Sequence, residues 1–202
     1  MKTERGFTLV EMLVVLAVLS LVGVLVLLIF TGSLRGSNKA QILLAIKQNG
    51  QSVLEQMDKT VRSSDNVVCV SSTSDTLVVV KNGIYTRYRF IPSSATVNGL
   101  IQQDNPDRQD VKDTSPLRKE TDPEFVIRVC LAADPMPTPV ILTDTKSQTG
   151  ISVESGLFTR DRSAGFKDQV TIKFIVKPGV QAPAAVAGQI DPVTFQTTVE
   201  LR

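Results

Sequence analysis

Residues 1–30 read MKTERGFTLVEMLVVLAVLSLVGVLVLLIF. A short charged leader ends at Gly6, and the 24 residues from Phe7 to Phe30 then carry a single ionisable side chain, Glu11. At ~1.5 Å per residue a helix over that run reaches roughly 36 Å, enough to cross the ~30 Å hydrocarbon core of a bilayer. Lys2 and Arg5 favour a cytoplasmic N-terminus. An ionised carboxylate in an apolar span costs several kcal/mol unless it is partnered, so Glu11 reads as functional. A secretory signal has a shorter apolar region closed by a small-residue cleavage site. Thr31-Gly32-Ser33 is the nearest candidate for such a site and matches it poorly. A plain anchor explains neither the RGFTLVE junction nor the acid.

The string Gly6-Phe7-Thr8-Leu9-Val10-Glu11, with a basic residue before it and an apolar run after it, resembles the type IV pilin superfamily of pilins, minor pilins and type II secretion pseudopilins. The resemblance implies a leader of residues 1–6, cut between Gly6 and Phe7 by a membrane prepilin peptidase on the cytoplasmic side. It implies N-methylation of Phe7 and an assembly role for Glu11, the fifth residue of the mature chain. Implied partners are the peptidase, other pilin or pseudopilin subunits, membrane lipid and an inner-membrane assembly platform.

Charge physics supports the role of Glu11 independently. Cleavage creates a cationic amine four residues before it, and a carboxylate in the first helical turn is favoured by the helix dipole. In a bundle of such helices Glu11 can neutralise a neighbour's amine. A buried pair adds little net stability after desolvation, but it fixes register because misalignment leaves both charges unpaired.

Past Phe30 the apolar positions Leu43, Ile46, Gly50, Val53, Met57 and Val61 recur three and four apart, the mark of one helical face. Residues 31–65 are therefore expected to continue the helix amphipathically, with an exit at Asp65 or Asn66. Gly32 and Gly36 make Thr31 to Ser37 a weak helical stretch that can bend.

Residues 66–202 read as an extracytoplasmic β-rich domain. Strands are expected at Val67–Val70, Thr76–Lys81, Tyr85–Ile91, Phe125–Leu131, Val140–Thr143, Gln169–Lys177 and Phe195–Leu201, with an Asn82-Gly83 hairpin turn. The expected fold class is α+β: a long N-terminal helix, transmembrane in its first half, whose second half packs on an antiparallel sheet. Pilin-like architecture has the same order.

Asp104 to Pro123 holds ten charged residues and three prolines in twenty, so it reads as a loop, as does the Pro-, Ala- and Gly-rich stretch Pro178 to Pro192. Asp104, Asp107, Asp110 and Asp113 offer oxygen ligands, but no glycine shapes a coordination loop and Arg108 and Lys112 oppose a cation. No cofactor or metal is expected. Cys69 and Cys130 are the only cysteines, and an oxidising compartment permits a disulfide between them. Closing that loop stabilises by roughly 4 kcal/mol in the chain-entropy account. Strand cysteines also serve simply as small buried hydrophobes.

The formal charge is +2 and there is no histidine, so neither nucleic-acid binding nor His-based catalysis is indicated. The sequence reads as a non-enzymatic structural subunit, minor rather than major, of a pilus or secretion pseudopilus. It sits in the cytoplasmic membrane as a single-pass protein with its β domain outside. The alternative is an anchored β-domain binding module that never enters a fibre.

Overall fold

A computed structural model describes residues 8–106, 129–130, 139–163, 165–183 and 188–201. By internal packing the chain divides into two units, Met1–Gln41 and Ile42–Arg202. Helix α1 (Leu9–Arg62) belongs to the first over residues 9–41 and to the second over residues 42–62. Residues 31–37 stay helical despite Gly32 and Gly36.

In the first unit every described residue is exposed, including the apolar run from Leu9 to Phe30. The second unit has its own core. Along α1 the buried positions are Ile46, Gly50, Val53, Leu54, Met57 and Val61, and Leu43 packs beside them half-buried. This is the expected stripe with Leu54 added. Gly50 lets the helix lie directly on the Phe195 ring, where a Cβ would collide.

Among the described residues eight strands follow: β1 (Asn66–Val70), β2 (Thr76–Lys81), β3 (Ile84–Ile91), β4 (Leu100–Asp104), β5 (Val140–Ile141), β6 (Ile151–Asp161), β7 (Gln169–Pro178) and β8 (Val193–Glu200). They form two antiparallel meanders rather than one sheet: β1-β2-β3-β4-β5 and β6-β7-β8. Asn82 and Gly83 both take positive φ, 50° and 76°, as a tight hairpin between β2 and β3 requires.

The inner faces meet α1 in a single core. Leu77, Val79, Tyr88, Phe90 and Ile101 come from the first sheet, and Val153, Phe158, Ile172, Phe174, Val176 and Val199 from the second. Strand β7 buries alternate residues, so its sequence period of two becomes one buried face. Phe90 stacks on Phe158 with centroids 4.4 Å apart, and Phe174 stacks on Phe195 at 5.2 Å. Backbone bonds also join the sheets: Phe158 N–H donates to Ser74 O at 2.7 Å and Val153 N–H to Gly99 O at 2.9 Å.

Four expectations are corrected. The helix ends at Arg62 and β1 already begins at Asn66. The sequence pattern predicts neither β4 nor β6. Asp104 closes β4 and is buried, because it lies directly opposite Arg87 on β3 and neutralises it. Of the expected strand Phe125–Leu131, only Val129 and Cys130 are described, and both are helical. The remaining loop acids Asp107, Asp110 and Asp113 lie outside the described residues.

Candidate functional site

Helix α1 starts at Leu9 because Thr8 caps it. Thr8 N–H donates to Glu11 Oε2 at 3.4 Å, while Glu11 N–H donates to Thr8 Oγ1 at 3.3 Å. This is the reciprocal capping box, a Thr-x-x-Glu pattern that satisfies two of the orphan amides of a helix start. The Thr-x-x-Glu spacing is legible in the sequence itself, so Thr8 carries a capping signal beside Glu11. Gly6 and Phe7 lie outside the described residues.

Downstream of Glu11 the helix surface is apolar to residue 30, with hydroxyls that bond back onto their own helix. Ser20 Oγ donates to Ala17 O at 2.8 Å, and Thr31 Oγ1 reaches Leu27 O at 2.9 Å. No polar side chain there needs water, which suits a lipid or protein surrounding. Among the described residues this is the one helix long and apolar enough to cross a membrane. Its residues 9–30 span about 33 Å.

Elsewhere the polar groups serve the fold. Arg160 and Arg162 grip Asp168 at the β6–β7 hairpin. Partial burial pushes that carboxyl up, but the two arginines outweigh burial through hydrogen bonds and charge and hold it below the ordinary Asp value. At Asp75 burial likewise raises, while bonds from Ser71, Thr73 and Thr76 and the charge of Arg89 lower the carboxyl further. An open cleft of about 500 Å³ lies between β1 and β6, lined by Val68–Ser71, Ser74 and Phe158–Arg160. Its one charged lining residue, Arg160, is already paired. Among the described residues no group of three acidic, Cys or His side chains is placed to hold a metal. Cys69 and Cys130 are joined as a disulfide with Cα atoms 6.3 Å apart.

The prokaryotic N-terminal methylation motif matches residues 1–27. No curated protein and no solved structure matches the chain. The chain thus carries a type IV pilin-like prepilin motif, the substrate signature of a prepilin peptidase, at the head of an α+β fold with one long apolar N-terminal helix. The motif and that helix together suggest single-pass membrane anchoring.

Proposed function

We propose that this protein is a structural subunit of a type IV pilus or type II secretion pseudopilus, cut after Gly6, N-methylated at Phe7 and assembled through α1. The observation that carries the reading is the first unit itself. Over residues 9–41 it is an unbroken helix, exposed on all sides, and Glu11 is the single ionisable group between Leu9 and Leu34. Such a surface suits lipid before assembly and a bundle of like helices after it. The N-terminus is cytoplasmic and the β-rich unit extracytoplasmic, following Lys2 and Arg5. The chain is not an enzyme in this reading, and its size beyond the helix favours a minor subunit. Its partners are neighbouring subunits and an inner-membrane assembly platform.

The test replaces Glu11 by Ala in cells with the active assembly system and follows the protein in membrane and sheared-fibre fractions. A fibre subunit stays in the membrane and vanishes from the fibres. Unchanged partitioning would instead identify an anchored binding module.

A further inference from the structure

Beyond its apolar run, α1 carries only positive charge until Glu55. Arg35, Lys39 and Lys47 are the ionisable side chains from Met12 to Leu54. Arg35 and Lys39 stand one turn apart, about 40° from each other round the helix. Both are exposed, and among the described residues neither has an ion-pair or hydrogen-bond partner. Like charges at that spacing destabilise a helix. In the proposed topology they also lie at the outer end of the span, where cations oppose the positive-inside rule. Neither helix stability nor orientation accounts for the pair.

Their depth points to a counter-ion. Arg35 lies five residues past Phe30, ~7.5 Å along the axis. Long side chains on a helix lean back toward its N-terminus, over the positions three and four residues earlier. For Arg35 those are Gly32 and Thr31. A Cβ at Gly32 would meet nothing within 4 Å, so the way down is open. Thr31 turns its hydroxyl onto its own helix, 2.9 Å from Leu27 O and 3.1 Å from Leu28 O. Lys39 leans over Gly36, which is equally open. Both charged heads therefore reach back toward the end of the apolar run while their stems lie along the helix. Headgroups fill about 5–8 Å on either side of the hydrocarbon core, so the heads come to rest in the phosphate layer.

We propose that Arg35 and Lys39 form a clamp for the phosphate of an anionic phospholipid in the extracytoplasmic leaflet. The inference rests on the membrane-anchored reading above and operates whether or not the chain polymerises. The guanidinium offers two parallel N–H donors to the phosphate oxygens, and the ammonium adds a point charge from the next turn. A bound phosphate relieves the repulsion between the two cations. A Lys or Arg beside an anionic lipid surface raises association roughly fivefold. Removal of the leader takes Lys2 and Arg5 away and leaves Arg35 and Lys39 as the side-chain cations nearest the apolar run. The clamp then sets the depth at which the mature helix waits in the bilayer. An acidic side chain on a neighbouring subunit is the competing counter-ion, and a vesicle that keeps chains apart contains none.

The test places the full chain in phosphatidylcholine vesicles, at a lipid excess that keeps chains apart, with a trace of spin-labelled phosphatidylglycerol or spin-labelled phosphatidylcholine. Electron spin resonance gives the fraction of each label held at the protein, and resistance to alkaline extraction reports insertion. The wild type should insert and hold phosphatidylglycerol about fivefold over phosphatidylcholine. Arg35→Gln with Lys39→Gln should insert equally and cut that preference at least threefold. Lys2 and Arg5 are present in every variant, so the difference isolates the pair. Arg35→Gln with Ser37→Arg keeps the net charge but moves it about 160° round the helix, and should cut the preference at least twofold. Insertion with equal preference in the wild type and the double Gln variant would overturn the clamp alone. So would full preference in the relocated variant, since any cation at that depth would then serve. A wild type that fails to insert would overturn the clamp together with the membrane reading.

Discussion

Thr8 and Glu11 are bonded to each other twice, each side chain accepting the other residue's backbone N–H, at 3.4 and 3.3 Å. In the isolated chain Oε2 of the carboxylate that the proposed assembly needs therefore caps its own helix start, and a carboxylate has acceptor sites to spare. A neighbour's amine can therefore pair with Glu11 while the cap is kept. The capping function and the charge of Glu11 are separable by mutation. Glu11→Gln retains a capping-box acceptor and should leave amide exchange at Leu9 to Glu11 near wild type while abolishing fibre incorporation. Thr8→Val should fray the first turn at a cost of about 1 kcal/mol, and Thr8→Ser should restore it. Amide exchange by NMR in micelles reads both.

Tyr88 is fully buried, and among the described residues its hydroxyl has no partner of full hydrogen-bond geometry. Burial pushes its phenol pKa up, against a smaller opposing contribution from the nearby Thr60 hydroxyl. An unpaired buried hydroxyl costs about 1–3 kcal/mol, so Tyr88→Phe should be neutral or raise stability, by up to about 1 kcal/mol after repacking. Thermal unfolding of the pair of proteins checks this, and a clear loss of stability would reveal a bond to that hydroxyl.

The ring of Phe90 joins the sheets, stacked on Phe158 and 6.0 Å from Phe174. Phe90→Ala removes a wedge that neither sheet can close around, and should cost about 3–5 kcal/mol in denaturant titration. Phe166, at the β6–β7 turn, is 78% exposed. Phe166→Ala should change stability by less than about 0.5 kcal/mol.

Asp168 titrates below the ordinary Asp value of 3.8 in the folded chain. A lowered folded-state pKa means the stabilisation is complete above that ordinary value and is lost as pH falls through the lower folded-state one. The wild type should therefore exceed Asp168→Asn by about 0.5–1 kcal/mol at pH 7, the pair being partly screened by solvent. The gap should close below pH 3.8. Melting curves across that range measure it.

The sequence showed what local chemistry alone determines. The apolar run, the stripe from Ile46 to Val61 and strands β1 to β3 were legible because β-branched runs end at turn formers such as Asn82-Gly83. Strand β6 was hidden by Ser155-Gly156 and by a register shift between Val153 and Ser155 that breaks the period of two. That glycine lies against the Phe90 ring, a contact from the other sheet that no local pattern announces. Asp104 was misread for the same reason: a charged residue beside a charged run looks solvated until its partner, seventeen positions away, is known. Likewise, Cys69, Val78, Arg87 and Asp104 fall in one cross-strand row only through three strand registers.

The most direct test of the central claim is the N-terminus of the protein taken from membranes of cells with an active prepilin peptidase, by intact mass and N-terminal sequencing. The account predicts a mature chain that begins at N-methylated Phe7. A chain that still begins at Met1 beside a working peptidase would contradict it.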